Sequence, residues 1–130
     1  MIPIFLIFVI LFSIIYSTVY TNPVGVHYLI NIENIDVICN KKVSTICEKL
    51  IERTNLHVLN KGEHRFEPEG YTCFYLLSES HLSAHTWPEH NKVCMDFFSC
   101  SSNKLDQSYT KNTILQMFPN SSVKISSIIR

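Results

Sequence analysis

The chain has 130 residues, 46% hydrophobic and 17% charged, and its eleven acidic and eleven basic side chains cancel to zero net charge. One domain is the expectation at this length, and the charge balance gives no sign of the basic patch that an electrostatic nucleic-acid binder needs. The five cysteines are odd in number and form no Cys-x-x-Cys pair, which argues against a disulfide framework and for free thiols in a reducing compartment.

Residues 2–20 are apolar apart from Ser13, Ser17 and Thr18 and carry no charge. At about 1.5 Å of rise per residue, such a segment nearly spans a hydrocarbon core of about 30 Å. Residues 1–22 therefore read first as a membrane anchor. A signal peptide is the weaker reading, because the basic start and the small-residue cleavage site are both missing, and a mis-assigned start site or a buried strand-like arm is the third. Asn22-Pro23 punctuates the chain, and the folded domain is expected over 23–130.

Residues 25–32 alternate, with Val26, Tyr28, Ile30 and Ile32 on one side and His27, Leu29 and Asn31 on the other, the period-two pattern of a strand. Over 41–54, Val43, Ile46, Cys47, Leu50 and Ile51 recur at i, i+3, i+4, i+7 and i+8, one face of a helix, with Asn40 as its candidate N-cap. Residues 56–59 read as a short strand. Residues 61–70 are polar, contain Gly62, Pro68 and Gly70, and read as a loop. Residues 71–78 form an apolar strand, after which the chain runs through a turn or short strand to Pro88. Residues 92–100 form another strand, with Val93, Met95 and Phe97 on one face and Cys94, Asp96, Phe98 and Cys100 on the other. A second helix is predicted over 104–118, capped by Ser102 or Asn103 and stopped by Pro119, and 122–129 closes as a strand. Cys39, Cys47, Cys73 and Cys94 lie in apolar settings and read as small buried hydrophobes.

The order β-α-β-β-β-α-β gives an α+β fold, a two-layer α/β sandwich in which an antiparallel sheet carries both helices on one face. The opposite face then needs a cover, and a second protomer is the expected one.

The densest chemistry falls at Leu77-Ser78-Glu79-Ser80-His81-Leu82-Ser83-Ala84-His85-Thr86-Trp87-Pro88-Glu89-His90, with Ser99-Cys100 close behind. A lone serine is most often a surface or capping residue. Here Ser80 follows a peptide bond that its own hydroxyl can attack in an N→O acyl shift, and His85 follows as a candidate base or acid. The flanking glycines of a Gly-x-Ser-x-Gly elbow are missing. A zinc set drawn from His81, His85, His90 and Cys94 matches no familiar ligand spacing, so no metal is expected.

This run, with Met95-Asp96-Phe97-Phe98-Ser99-Cys100 after it, closely resembles the bacterial and archaeal type of S-adenosylmethionine decarboxylase proenzyme. The Ser80-to-His85 and Ser80-to-Cys100 spacings match the family pattern, as do Gly25-Val26-His27 and Phe66-x-Pro68-x-Gly70. The resemblance covers about residues 25–130. It departs at Ser101, where the family often has glycine, and over Asn91-Lys92-Val93-Cys94-Met95, where a Gly/Ala-containing stretch is commoner. The hydrophobic segment is untypical of this soluble cytosolic family. The expectation is a cytoplasmic catalytic domain, membrane-tethered through residues 2–20.

The resemblance implies self-cleavage between Glu79 and Ser80 into chains 1–79 and 80–130, with Ser80 becoming a covalent pyruvoyl group that forms a Schiff base with substrate. It implies His85 as the proton acceptor of processing, Thr72 as a hydroxyl that assists it, and Cys100 as the proton donor of turnover. Phe66 and Trp87 match aromatics that sandwich adenine, and Glu89 matches a ribose-binding carboxylate; His81 is family-typical and is given a positioning role. The implied reaction is decarboxylation of S-adenosylmethionine to the aminopropyl donor of spermidine synthesis, by a homo-oligomer of cleaved protomers. An arginine or ornithine decarboxylase of the same class and a non-catalytic regulatory homologue are the alternatives.

Overall fold

A computed structural model of the chain describes residues 24–100 and 104–130. The strands are β1 (Val26–Glu33), β2 (Val58–Arg65), β3 (Tyr71–Leu77), β4 (Ser80–Trp87), β5 (Lys92–Ser99) and β6 (Ser122–Ile129), and the helices are α1 (Asn40–Thr54) and α2 (Gln107–Met117). A short 3-10 turn, Pro88–His90, joins β4 to β5. The strands form one sheet in the order β2-β3-β4-β5-β1-β6, with every neighbouring pair antiparallel. The α+β sandwich expected from the sequence is the fold observed.

Alternation decides which side chains meet the helices. On β1, Tyr28, Ile30 and Ile32 are buried, as are Val93, Met95 and Phe97 on β5. They pack against Val43, Ile46, Cys47, Leu50 and Ile51, the predicted stripe of α1. Burying a side chain such as Phe97 or Leu82, both 0% exposed, contributes roughly 1.5–3 kcal/mol.

The element boundaries differ from expectation at four places. Asn40 is the first residue of α1 rather than its cap. Cys39 takes the cap position in an extended conformation without a side-chain bond. The helix ends at Asn55, left-handed at φ 58°, a conformation asparagine tolerates. Residues 104–106 are not helical. α2 starts later because the Asp106 carboxylate accepts the Tyr109 amide at 2.9 Å, supplying the cap for which Ser102 and Asn103, outside the described residues, were the candidates. β2 runs to Arg65, through the stretch read as loop. As an edge strand paired only with β3, it stays almost wholly exposed, so its polar composition carries no burial signal. Finally, residues 80–87, expected as a turn or a short strand, form a full eight-residue strand. The hydrophobic alternation of β4 was hidden because Ser80 and Thr86 occupy two of its buried positions.

All five cysteines are free. Cys47 and Cys73 are buried as expected, but Cys39 is exposed and Cys94 only partly buried; Cys100, the candidate proton donor, is exposed. The expected membrane segment, residues 2–20, lies outside the described residues. Among the described residues no helix is long and apolar enough to cross a membrane.

Candidate active site

Ser80 lies on the helix side of β4, while the face of the sheet turned away from the helices carries Thr72, His85 and the other histidines of the strands. Strand register lines its side chains in cross-strand rows. Thr72, His85, Cys94 and Asn31 form one row across β3, β4, β5 and β1; Phe74, Ser83, Asp96 and Leu29 form the next; Leu76, His81, Phe98 and His27 form the third.

In the first row, Thr72 Oγ1 lies 2.7 Å from His85 Nδ1 and donates to the Ala84 carbonyl at 3.2 Å. A hydroxyl has one proton. Given to Ala84, it leaves the Thr72 oxygen to accept from His85 Nδ1–H. That hydrogen-bond pattern assigns the tautomer and leaves Nε2 with its lone pair, the form of imidazole that takes up a proton. Cys94, opposite His85, donates to Asn31 Oδ1 at 3.2 Å, and partial burial pushes its thiol pKa up.

The third row is nearest the candidate cleavage bond. The His81 and His27 rings both pack against Phe98, with centroids at 5.6 and 6.0 Å. His27 Nε2 lies 3.2 Å from Asp96 Oδ1, shielded from solvent and too poorly aligned for a hydrogen bond. Sequence reading gave His27 and Asp96 no role. Their outward positions on two alternating strands were the available signal.

Ser80 opens β4 directly after the bend at Ser78 and Glu79. Glu79 is exposed, whereas Ser80 is 7% exposed. The backbone N–H of Cys100 donates to Ser80 Oγ at 3.4 Å. Ser80 pairs with Ser99 across β4 and β5, so the end of β5 carries Cys100 to the serine. The Gly25 backbone seals the same end. A Cβ there would sit 2.4 Å from the Ser99 carbonyl oxygen and 2.8 Å from the Phe98 ring.

The fold thus forms two pairs, Ser80 with Cys100 and Thr72 with His85, and does not join them within one copy. Ser80 is on the buried side of β4 and His85 on the exposed side. Five residues of strand separate them by roughly 16 Å.

Beyond His85, a cavity of about 270 Å³ opens between the loop before β3 and the end of β4, lined by Phe66, Glu69, Gly70, Tyr71, His85, Thr86, Trp87, Pro88 and Glu89. It therefore brings together all three expected substrate contacts, Phe66, Trp87 and Glu89. Phe66 is 51% and Trp87 37% exposed, which is open aromatic surface and not core. His85 and Trp87 stand 5.9 Å apart, centroid to centroid, and the His64 ring meets Phe66 edge-on at 4.7 Å. Tyr71 forms part of the wall. Burial, aided by its hydrogen bond to Glu63, holds its phenol protonated far above the usual range.

The family model for S-adenosylmethionine decarboxylase matches residues 26–130, the whole of this sheet and both helices. The chain belongs to the S-adenosylmethionine decarboxylase family. Similar curated proteins are S-adenosylmethionine decarboxylase proenzymes. One from a Sulfurihydrogenibium species is 38% identical over 73 residues, covering 56% of this chain and 53% of that protein. One from Picrophilus torridus is 35% identical over 80 residues, covering 59% and 62%. The chain thus spans about half to three fifths of the length of these relatives. The crystal structure of the adenosylmethionine decarboxylase from Aquifex aeolicus superposes with a TM-score of 0.68 at 23% identity, covering 85% of this chain and 92% of that one, a likeness of fold. Among the described residues, no group of three or more His, Cys, Asp or Glu side chains is arranged to hold a metal ion.

Proposed function

We propose that this family member is a proenzyme that cuts itself between Glu79 and Ser80, and that the mature protein decarboxylates S-adenosylmethionine to S-adenosylmethioninamine, the aminopropyl donor of spermidine synthesis. The observation that carries the reading is the pairing of Ser80 with Cys100 at an exposed hairpin bend, where Oγ accepts the Cys100 amide at 3.4 Å. Attack of Ser80 Oγ on the Glu79 carbonyl shifts the acyl group from nitrogen to oxygen. Loss of the Ser80 Cα proton then expels the Glu79 carboxylate and leaves a dehydroalanine. That residue takes up water and releases ammonia, which makes residue 80 a pyruvoyl group at the new N-terminus. His85, with Nε2 free to accept a proton, is the base this sequence requires, and Thr72 fixes its tautomer.

The buried position of residue 80 and the Cys100 amide aimed at it fit a pyruvoyl group. When present, such a group supplies an electron sink for the pair left when carboxylate departs. The chain's own residues do the rest. Phe66 and Trp87 present flat faces suited to adenine and attractive to a sulfonium cation. Glu89 accepts from ribose hydroxyls, and the Cys100 thiol holds the proton delivered to the product carbon.

The separation of Ser80 from His85 supports a homodimer in which a second copy, laid on the uncovered sheet face, brings its His85 to this copy's Glu79–Ser80 bend. Phe74 and Leu76, 48% and 45% exposed on that face, supply apolar surface for the contact. The free thiols fit a cytoplasmic catalytic domain, and the uncharged apolar run of residues 2–20 is its proposed membrane tether. Carboxyl-labelled S-adenosylmethionine, arginine and ornithine, offered side by side, test the substrate. Labelled CO₂ from the first alone is expected. Release from arginine or ornithine instead, or from none of the three, overturns the assignment.

A further inference from the structure

We propose that Glu69 is a specificity-determining residue that selects a positively charged ligand for the cavity beside His85, an inference that rests on reading that cavity as the S-adenosylmethionine site. The cavity wall contains two carboxylates, Glu69 and Glu89, and neither a lysine nor an arginine. Neither carboxylate belongs to an ion pair among the described residues, whose pairs are His27–Asp96, Lys61–Glu48 and Lys92–Glu33. The nearby cations Lys41 and Arg65, together with Glu67, line an adjoining cavity of about 460 Å³, which shares Phe66, Glu69, Gly70 and Pro88 with the first. Glu69 borders both cavities; the cationic side chains border only the second.

The loop that carries Glu69 is tied at both ends. The Phe66 amide donates to the Gly70 carbonyl at 3.0 Å, and the Tyr71 amide donates to Thr86 Oγ1 at 2.8 Å. Gly70 sits at φ +121°, where an added Cβ would also approach Phe66 Cβ to 3.3 Å. The glycine closes the turn that non-glycine residues resist. The exposed Glu69 on this loop lines the same cavity as Phe66, Trp87, Pro88 and Glu89. One carboxylate suffices for the two hydroxyls of a ribose. The second leaves the cavity with negative charge that a neutral nucleoside does not use and a sulfonium or ammonium does.

The charge prediction separates two ligands of nearly one shape. S-adenosylmethionine carries a sulfonium, whereas S-adenosylhomocysteine has a neutral thioether in its place. In the full-length, self-cleaved protein, Glu69→Gln is expected to raise KM for S-adenosylmethionine about tenfold, the order expected for one unit charge acting across roughly 6 Å in a half-aqueous medium. Its kcat is expected to stay within about twofold, and its Ki for S-adenosylhomocysteine is expected to change less than about twofold on the same grounds. Glu67→Gln, on the same loop but bordering only the other cavity, is the control and is expected to change KM far less. An unchanged KM in Glu69→Gln overturns the inference, as does a parallel rise of KM and Ki. In both of those outcomes the wild type still turns over and the functional reading stands. A self-cleaved wild type that neither decarboxylates S-adenosylmethionine nor binds S-adenosylhomocysteine refutes the functional reading, and the role of Glu69 falls with it.

Discussion

Thr72→Val removes one hydroxyl from the sheet and nothing else of similar volume. In the native chain that oxygen lies 2.7 Å from His85 Nδ1 and donates to the Ala84 carbonyl at 3.2 Å, which leaves it to accept from Nδ1–H. The stability cost should be small. Thr72 is only partly buried and His85 is exposed, so water replaces the lost partners. A net hydrogen bond of this type contributes roughly 0.5–1.5 kcal/mol, offset by the better strand propensity of valine. The effect on maturation should be larger. When His85 takes a proton at Nε2 its ring becomes cationic, and the Nδ1–H···O bond to Thr72 becomes charge-assisted. Such bonds are worth about 1.5–3 kcal/mol against about 0.5–1.5 for the neutral bond, so the excess of about 1–1.5 kcal/mol that only the cationic ring feels slows processing by roughly 5- to 13-fold. The assay is a pulse-chase of newly synthesised chain, following its conversion to the 79- and 51-residue fragments that cleavage before Ser80 would leave of the 130 residues. Thr72→Ser keeps the hydroxyl and should process within a few-fold of wild type. Self-cleavage of Thr72→Val at the wild-type rate, in a protein with an unchanged melting temperature, would refute the assignment of the His85 tautomer to Thr72.

Three further outcomes are expected. Gly25→Ala forces a Cβ to within 2.4 Å of the Ser99 carbonyl, so urea denaturation should show a loss of roughly 1–3 kcal/mol from overpacking, and turnover should fall as the strand end bearing Cys100 shifts. Co-expression of Ser80→Ala with His85→Ala tests the two-copy site: each variant alone should stay uncut, while in the mixture the His85→Ala chain should be cleaved, and a mixture that stays uncut contradicts sharing. At pH 8, iodoacetamide should label the exposed Cys39 and Cys100 before the half-buried Cys94 and label Cys47 last, because burial raises the Cys94 thiol pKa, and a hydrogen bond with the Cys73 thiol together with burial raises that of Cys47.

The sheet and the helix stripe of α1 were legible because burial imposes a period on apolar residues. The same logic failed where position, not side-chain chemistry, governed. β2 is an edge strand with little to bury, and β4 places Ser80 and Thr86 among its buried positions. Motif residues followed a third pattern. The spacing from Ser80 to Cys100 is legible because a hairpin of two paired strands returns the chain to its start, opposite Ser99. The spacing from Ser80 to His85 is misleading at face value, since an odd interval along a strand sends two side chains to opposite faces. Glu69 escaped notice because a glutamate between a proline and a glycine reads as ordinary loop, and only the closure of the Phe66–Gly70 turn gives it a cavity to border.

The central claim is that Ser80 is consumed to make the catalytic group, and mass spectrometry of the purified full chain tests it most directly. The account predicts two fragments divided after Glu79, the second beginning in a pyruvoyl ketone in place of a serine amine. Treatment with borohydride should then add hydrogen to that ketone and abolish activity. An intact chain with an unmodified Ser80, active or not, would contradict the account.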